Sequence, residues 1–202
     1  MDWNKLPDNG VVEKTMDSLK QRGIDAVMAD NVNEARGKIL AFIPEGSEVM
    51  EASSTTLDTL GVTDIINESG KYRSLRKEIM SHAEKDMRDA LRRKSTSPEY
   101  AIGSVQAVTE DGQIIVASGS GSQISTYVYG AANLALAVGT NKIVKDLDQA
   151  FKRIYEHALP LESERMRRVY GAPGSSVNKI LIIERDRPGR TKLVFIKKAL
   201  GF

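Results

Sequence analysis

The sequence predicts an α/β protein with a mostly parallel sheet, flanking helices and a closing antiparallel hairpin at its C-terminal end. Short apolar segments that suit strands alternate with amphipathic segments that suit helices along most of the chain. Several strand segments end in small polar residues, which is typical of strands that open into ligand-binding loops. The 202 residues are 41% hydrophobic and 28% charged, so the chain can build a sizeable core.

We expect a single domain, in which residues 1–45 form a mainly helical N-terminal part and residues 46–202 form the core. The predicted elements of the N-terminal part are a helix over residues 11–22, a strand over 24–29 and a helix over 30–42. Gly23 ends the first helix, because glycine readily adopts the left-handed conformation at a helix C-terminus.

The next segment is predicted to contain a short strand over residues 48–50, the polar run 52–56 and a short helix over 57–60. Residues 72–93 predict one long amphipathic helix, because apolar residues recur there every four positions. Basic residues outnumber acidic ones in this helix, which favours a solvated charged face. An anion-binding or docking face is the alternative.

An Asp-Gly turn at Asp111 and Gly112 predicts a hairpin of two strands, over residues 102–108 and 114–117. Residues 118–122 are only Ser and Gly, so a ligand can approach the backbone N–H groups of this loop. The remaining predicted elements are a helix over 123–131, a strand over 134–138, helices over 146–158 and 162–170 separated by Pro160, and two hairpin strands over 179–184 and 192–197.

Charge and cysteine content exclude several classes of protein. The 29 Lys and Arg residues nearly balance 27 Asp and Glu residues, so neither nucleic acid nor a membrane surface is an expected partner. The absence of cysteine excludes disulfides, thiolate zinc sites and iron–sulfur ligation within the chain. No signal peptide or membrane-spanning run is recognisable, so we expect a cytoplasmic protein. The oligomeric state, including a homo-oligomer, stays open.

The expected functional site lies where strands end in small polar residues. The carboxyl ends of parallel strands and the adjoining helix N-termini favour anions, so we expect a crevice that binds a small anionic metabolite. Its predicted ligand-binding residues are Ser54, Thr56, Thr109, Glu110, Ser118, Gly119, Ser120, Gly121, Gly139, Asn141, Lys142 and Lys179. Structural roles remain open for all of them, because Ser and Thr commonly cap helices and a lysine is commonly a surface residue.

Catalytic and metal-binding candidates are few. Glu51 is a catalytic candidate by position alone, since it ends a strand beside the Ser/Thr run. The two histidines, His82 and His157, fall in predicted helices far from the small-residue loops. No metal-ligand spacing, P-loop or dinucleotide-binding motif occurs, so we expect no metal and no cofactor in this chain.

Three stretches carry a resemblance to a known family: residues 103–112, 118–121 and 138–144. Shorter matches occur in the same order at residues 54–57 with Gly61, 146–150 with Arg153 and Ile154, and 158–160. Together they resemble the lactate utilization (LUD) domain family, which includes the LutC/YkgG-type proteins. The resemblance implies the α/β fold shared by glucosamine-6-phosphate deaminase (NagB), ribose-5-phosphate isomerase (RpiA) and CoA transferases.

The resemblance also implies a role in the oxidation of L-lactate, a 2-hydroxyacid, to pyruvate. In this role the chain would be a non-redox accessory component that binds a small anion in the Ser/Gly-rich crevice. Electron transfer would then take place in iron–sulfur partner proteins of a lactate oxidation complex. Two alternatives stay open: a stand-alone metabolite-binding or regulatory module, and an enzyme that acts on a sugar phosphate or a CoA thioester.

Overall fold

Two sheets surrounded by helices form the computed structural model, which describes all 202 residues. The strands are β1 Asp25–Ala29, β2 Glu48–Glu51, β3 Arg73–Ser74, β4 Tyr100–Gly103, β5 Ala107–Thr109, β6 Ile114–Ser118, β7 Asn133–Gly139, β8 Ile143–Val144, β9 Lys179–Ile183 and β10 Thr191–Ile196. The helices are α1 Asn9–Gln21, α2 Val32–Leu40, α3 Thr55–Leu60, α4 Val62–Glu68, α5 Leu75–Ser81, α6 Lys85–Lys94, α7 Ser122–Ser125, α8 Leu147–Arg153 and α9 Leu159–Tyr170. No helix is both long and apolar enough to span a membrane.

The main sheet has six strands in the order β1-β10-β7-β4-β2-β3, and every neighbouring pair is parallel. This confirms the predicted α/β class with a mostly parallel sheet. Strand β10 lies between β1 and β7, and its residues Leu193 to Ile196 are fully buried. A continuous apolar run of this kind suits a strand that is covered on both faces. Strand β1 pairs with β10, so the N-terminal part of the chain supplies an edge of this sheet.

The second sheet has four strands in the order β8-β5-β6-β9. Strands β5 and β6 are antiparallel and form the predicted Asp-Gly hairpin, while β9 runs antiparallel to β6 on its other side. The predicted strand 102–108 is divided between the sheets, because the chain leaves the main sheet after Gly103 and enters the second sheet at Ala107.

The prediction that the two C-terminal strands pair with each other is wrong. The two C-terminal strands form where the sequence places them, but β9 pairs with β6 and β10 pairs with β1 and β7. The physical reason is burial: β10 has apolar residues on both faces and gains more in the centre of the main sheet than as one arm of a two-stranded hairpin.

Two helix predictions are also wrong in their boundaries. The predicted helix over 72–93 is broken into α5 and α6, because His82 has extended backbone and Arg88 Nη1 donates to the carbonyl oxygens of His82 (2.9 Å) and Ala83 (2.5 Å). Conversely, the helices on either side of Pro160 are continuous through a π-helical segment, Ile154–Ala158. Pro160 lies directly after this segment, where the change from π-helical to α-helical hydrogen bonding accommodates a residue without an N–H.

Candidate functional site

A cavity of about 710 Å³ lies at the carboxyl ends of the main-sheet strands. Residues that follow β2 and β4 line one part of it, and the Ser/Gly loop after β6 and one side of α9 line another. Its volume falls within the range of natural small-molecule sites. The topology therefore places a cavity where parallel α/β sheets usually bind their ligands.

Lys142 lies in a 3₁₀ turn directly after β7 and is 1% exposed, yet its side chain lines the cavity. Its Nζ lies 3.0 Å from the carbonyl oxygen of Val105, 3.2 Å from Ser104 Oγ, 3.3 Å from Thr56 Oγ1 and 3.3 Å from the carbonyl oxygen of Phe202. Thr56 follows β2, Ser104 and Val105 follow β4, and Phe202 follows β10. Lys142 itself follows β7, and these four strands are adjacent in the order β10-β7-β4-β2. The ends of four adjacent strands thus meet at one amine.

The protonation of Lys142 is set by its surroundings. Burial lowers the pKa of the Lys142 amine well below its ordinary value, and the positive charge of Arg153 lowers it further. Ser104 donates its hydroxyl proton to the carbonyl oxygen of Ala137 (2.7 Å), so it accepts from Nζ. The Thr56 hydroxyl can accept from an ammonium group or donate to the lone pair of a neutral amine. An ammonium group can donate to Ser104 and to both main-chain oxygens, whereas a neutral amine can donate to two of these three and accept from Thr56.

Glu51, the last residue of β2, is 1% exposed and lines the same cavity. Its Oε2 lies 3.3 Å from Arg76 Nε and 3.4 Å from Asn67 Nδ2, whereas its Oε1 is buried without a hydrogen-bond partner. Burial raises the pKa of this carboxyl, although Arg76 opposes the shift. A carboxyl of this kind holds its proton at higher pH than usual and can exchange it with a ligand.

Tyr127 comes close to the end of β4 because residue 103 is glycine. A Cβ on Gly103 would lie 1.6 Å from the Tyr127 hydroxyl oxygen. The Tyr127 hydroxyl donates to the carbonyl oxygen of Ser104 at 3.4 Å, and burial raises its pKa. The cavity therefore has a phenol that stays protonated close to Lys142 and the groups that Lys142 contacts.

The other cations of the cavity wall have carboxylate partners. Arg76 pairs with Glu51, and Arg92 Nη1 lies 3.1 Å from Asp89 Oδ1. Arg165 binds Glu162 through two nitrogens, at 2.7 and 2.8 Å, and this contact raises its pKa. Lys142 is the one cationic side chain in the lining with no Asp or Glu side chain within ion-pair distance.

The Ser/Gly loop contributes a small polar wall. Ser118, Gly119 and Ser120 line the cavity. Part of the loop's hydrogen-bonding capacity is used internally, because Ser118 Oγ accepts from the N–H of Gly121 (2.9 Å) and Ser120 Oγ accepts from the N–H of Ser122 (3.2 Å). The loop is thus held in one shape while its hydroxyl groups remain at the cavity.

The structure brings about half of the predicted site residues together. The members that line the cavity are Glu51, Ser54, Thr56, Ser118, Gly119, Ser120 and Lys142. Ser54 also caps α3, with its hydroxyl 3.5 Å from the N–H of Leu57, so the alternative structural role is present as well.

The remaining predicted residues lie outside the cavity, which corrects their assignment to one crevice. Thr109 Oγ1 accepts from the N–H of Gln113 in the hairpin turn (3.0 Å), and Glu110 pairs with Lys14 (3.0 Å). Both are therefore used to shape the second sheet and attach it to α1.

Asn141 and its neighbours also act within the fold. Asn141 Oδ1 accepts from the N–H of Leu200 (3.2 Å), and its Nδ2 donates to the carbonyl oxygen of Trp3 (3.5 Å). A Cβ on Gly139 would lie 2.5 Å from Asn141 Oδ1, so the glycine admits this bridge.

Gly121 and Lys179 meet beside the loop. Gly121 has a φ of +87°, and an added Cβ would lie 2.6 Å from Lys179 Cδ. The Lys179 side chain is exposed and does not line the cavity. This pair shapes the loop from behind.

Sequence reasoning missed several lining residues. These are Ser104, Gln106, Tyr127, Arg76, Arg165 and Phe202. Ser104 and Gln106 lie within the predicted strand 102–108, and Gly103 is the one residue that could have indicated an interruption of that strand. Arg76 was assigned to a solvated face, and nothing local distinguishes Arg165 or Phe202. No group of three or more His, Cys, Asp or Glu side chains is arranged to hold a metal ion.

Comparisons with known proteins agree with this architecture. A family model described as the LUD domain matches residues 12–196. A DUF162 family protein from Deinococcus radiodurans has a similar structure, with a TM-score of 0.58, 9% identity, and 95% of this chain and 99% of that chain covered. This similarity shows a shared fold.

More distant similarities were found as well. A ribose-5-phosphate isomerase in complex with phospho-erythronic acid has a TM-score of 0.41 and 12% identity, over 82% of this chain and 94% of that chain. The eIF2B beta protein from Chaetomium thermophilum has a TM-score of 0.38 and 13% identity, over 70% of this chain and 45% of that chain. No curated protein matches the sequence.

Proposed function

Since the chain belongs to the LUD domain family, we propose that it binds a small 2-hydroxy or 2-oxo carboxylate, such as L-lactate or pyruvate, in the cavity beside Lys142. The observation that carries this proposal is the buried amine of Lys142, which lines the cavity and has no Asp or Glu side chain as a partner. A buried ammonium group without a counter-ion is costly, and the carboxylate of a ligand supplies one.

The family also supports a role related to lactate utilization. We propose that the chain acts there as a non-redox accessory component of L-lactate oxidation. The sequence has no cysteine, so an iron–sulfur partner would carry the electrons. Binding and presentation of the carboxylate are the tasks for which this chain has suitable groups.

Other lining residues of the cavity suit the rest of such a ligand. Ser118 and Ser120 present hydroxyl groups that can donate to, or accept from, the oxygen on the second carbon of a hydroxy or oxo acid. Apolar lining from Ile154, Ala158 and Val177 matches a short alkyl group.

Proton uptake is expected to accompany binding. Burial and Arg153 lower the pKa of Lys142, and a carboxylate beside the amine favours its charged form, so binding of the ligand raises that pKa again. Linkage then requires affinity to increase as the pH falls through this range. Calorimetric titrations in two buffers with different ionisation enthalpies measure the proton uptake directly.

Calorimetric titration with L-lactate and pyruvate tests the proposal. We expect Lys142→Met to weaken binding about 10- to 100-fold, the typical effect of losing one charge-assisted hydrogen bond. Lys179→Met is the matched control, because it removes a lysine that lies outside the cavity, and it should bind like the wild type. Equal affinities of the Lys142→Met variant and the wild type would refute the proposal, provided that circular dichroism shows both to be folded.

A further inference from the structure

The amine of Lys142 lies in conditions that make lysine a nucleophile as well as a cation. It is buried, it lines the cavity, it forms no ion pair with an Asp or Glu side chain, and Arg153 adds a second positive charge nearby. Arg153 is itself fully buried, and its Nε and Nη2 have no hydrogen-bond partner, so this charge is not neutralised locally. Desolvation and an adjacent cation both favour the neutral amine, and the lone pair of a neutral amine attacks carbonyl carbons.

We propose that Lys142 forms a reversible imine with the carbonyl carbon of a 2-oxo carboxylate bound in the cavity. The inference rests on the proposed function, because the cavity must first admit the carboxylate. The bound carboxylate favours the ammonium form of Lys142, so the ammonium group must first release one proton to the solvent, and only the neutral amine attacks. It goes further by assigning covalent chemistry to one nitrogen atom and by restricting it to ligands that carry a carbonyl group.

The atoms of this step balance without an oxidant or a reductant. The lone pair of Nζ forms a bond to the second carbon of the oxo acid, and the C=O π electrons move to oxygen. A proton transfer from nitrogen to that oxygen gives a carbinolamine. A second proton, delivered to the hydroxyl group, releases it as water and leaves a protonated imine. Addition of water reverses the sequence and returns the free amine.

Groups at the site suit these proton transfers. Thr56 Oγ1 lies 3.3 Å from Nζ and can accept a proton while it donates its own. Glu51, whose carboxyl holds its proton to higher pH than usual, lines the same cavity and is a suitable acid for the loss of water. A 2-hydroxy acid has no carbonyl carbon, so it can bind here only without a covalent bond. The site would therefore distinguish the oxidised from the reduced acid.

Reductive trapping tests this inference on the wild-type protein. The folded protein is incubated with pyruvate and sodium cyanoborohydride, which converts an imine to a stable secondary amine, and tryptic peptides are mapped by mass spectrometry. We expect Lys142 to be the principal modified lysine, no adduct with L-lactate, and loss of the adduct in Lys142→Arg. Thr56→Val should slow the modification of Lys142, because it removes the hydroxyl group that relays the proton.

Modification spread evenly over exposed lysines such as Lys179, with none at Lys142, would overturn the inference. Calorimetry separates this failure from that of the proposed function. If pyruvate binds in a Lys142-dependent manner but no adduct forms, the imine is wrong and the binding function stands. If pyruvate neither binds nor reacts, both are wrong.

Discussion

At the scale of single residues, Lys142 and Glu51 are buried ionisable groups with shifted pKa values, and Glu51 Oε1 has no hydrogen-bond partner. Burial of this kind lowers stability and is characteristic of functional sites. Other polar residues near the ends of strands are satisfied within the fold, as Asn141 is by Leu200 and Trp3. The contrast separates residues that hold the structure together from those that we propose contact a ligand.

The lowered pKa of Lys142 predicts a pH-dependent stability. The unfolded chain binds a proton at this amine up to its ordinary pKa of 10.5, whereas the folded protein releases it earlier, so the wild type gains stability as the pH rises between the two values. The gain is at most about 1.4 kcal/mol per pH unit for one proton. Urea denaturation from pH 7 to 10 should show it in the wild type relative to Lys142→Met. Parallel stability curves would contradict the assigned pKa.

Glu51 predicts the opposite trend in the acidic range. Its folded pKa is raised above 4.5, so the folded protein holds a proton that the unfolded chain has lost, and the wild type loses stability as the pH rises through this window. Glu51→Gln lacks this loss, so its unfolding free energy relative to the wild type should increase between pH 4 and 7. If the difference instead decreased with pH, the ion pair with Arg76 would outweigh the effect of burial.

At the scale of elements, local signals in the sequence predicted which segments form strands. Which strands pair with each other depended on residues far apart in the chain. The Asp-Gly turn predicted the β5–β6 hairpin because its geometry is set by adjacent residues. The pairing of β10 with β1 and β7 joins segments far apart in the chain, so nothing within residues 191–196 indicates its partners. The break between α5 and α6 likewise depends on one side chain, Arg88, which returns to the end of α5.

Two glycines in turns provide a matched test of how the second sheet is attached. Gly112 and Gly189 have similar φ angles of +85° and +83°, so alanine strains both backbones about equally. An added Cβ at Gly112 would lie 2.8 Å from the backbone N of Leu19 in α1, whereas Gly189 has open space. We expect Gly112→Ala to lose about 1 to 3 kcal/mol more stability than Gly189→Ala in urea denaturation. Equal losses would show that the hairpin does not press against α1.

At the scale of the whole molecule, the fold gathers the ends of β2, β4, β7 and β10 at Lys142. The sequence predicted the α/β class, and it named Thr56 and Lys142 because each follows a strand in a small polar segment. It did not predict that Phe202 or Arg165 reaches the same cavity, since their positions depend on the path of β10 and on the continuous helix through Pro160. The residue types thus indicated which side chains could take part in binding or chemistry, but they did not indicate which of these side chains lie close together.

A crystal structure of the protein with L-lactate tests the central claim most directly, because this ligand cannot form an imine and reports on binding alone. We predict electron density for L-lactate within the cavity, with a carboxylate oxygen at hydrogen-bond distance, about 2.7 to 3.2 Å, from Lys142 Nζ. Density for L-lactate at another site, or an unchanged cavity at a concentration that saturates binding in solution, would contradict the account.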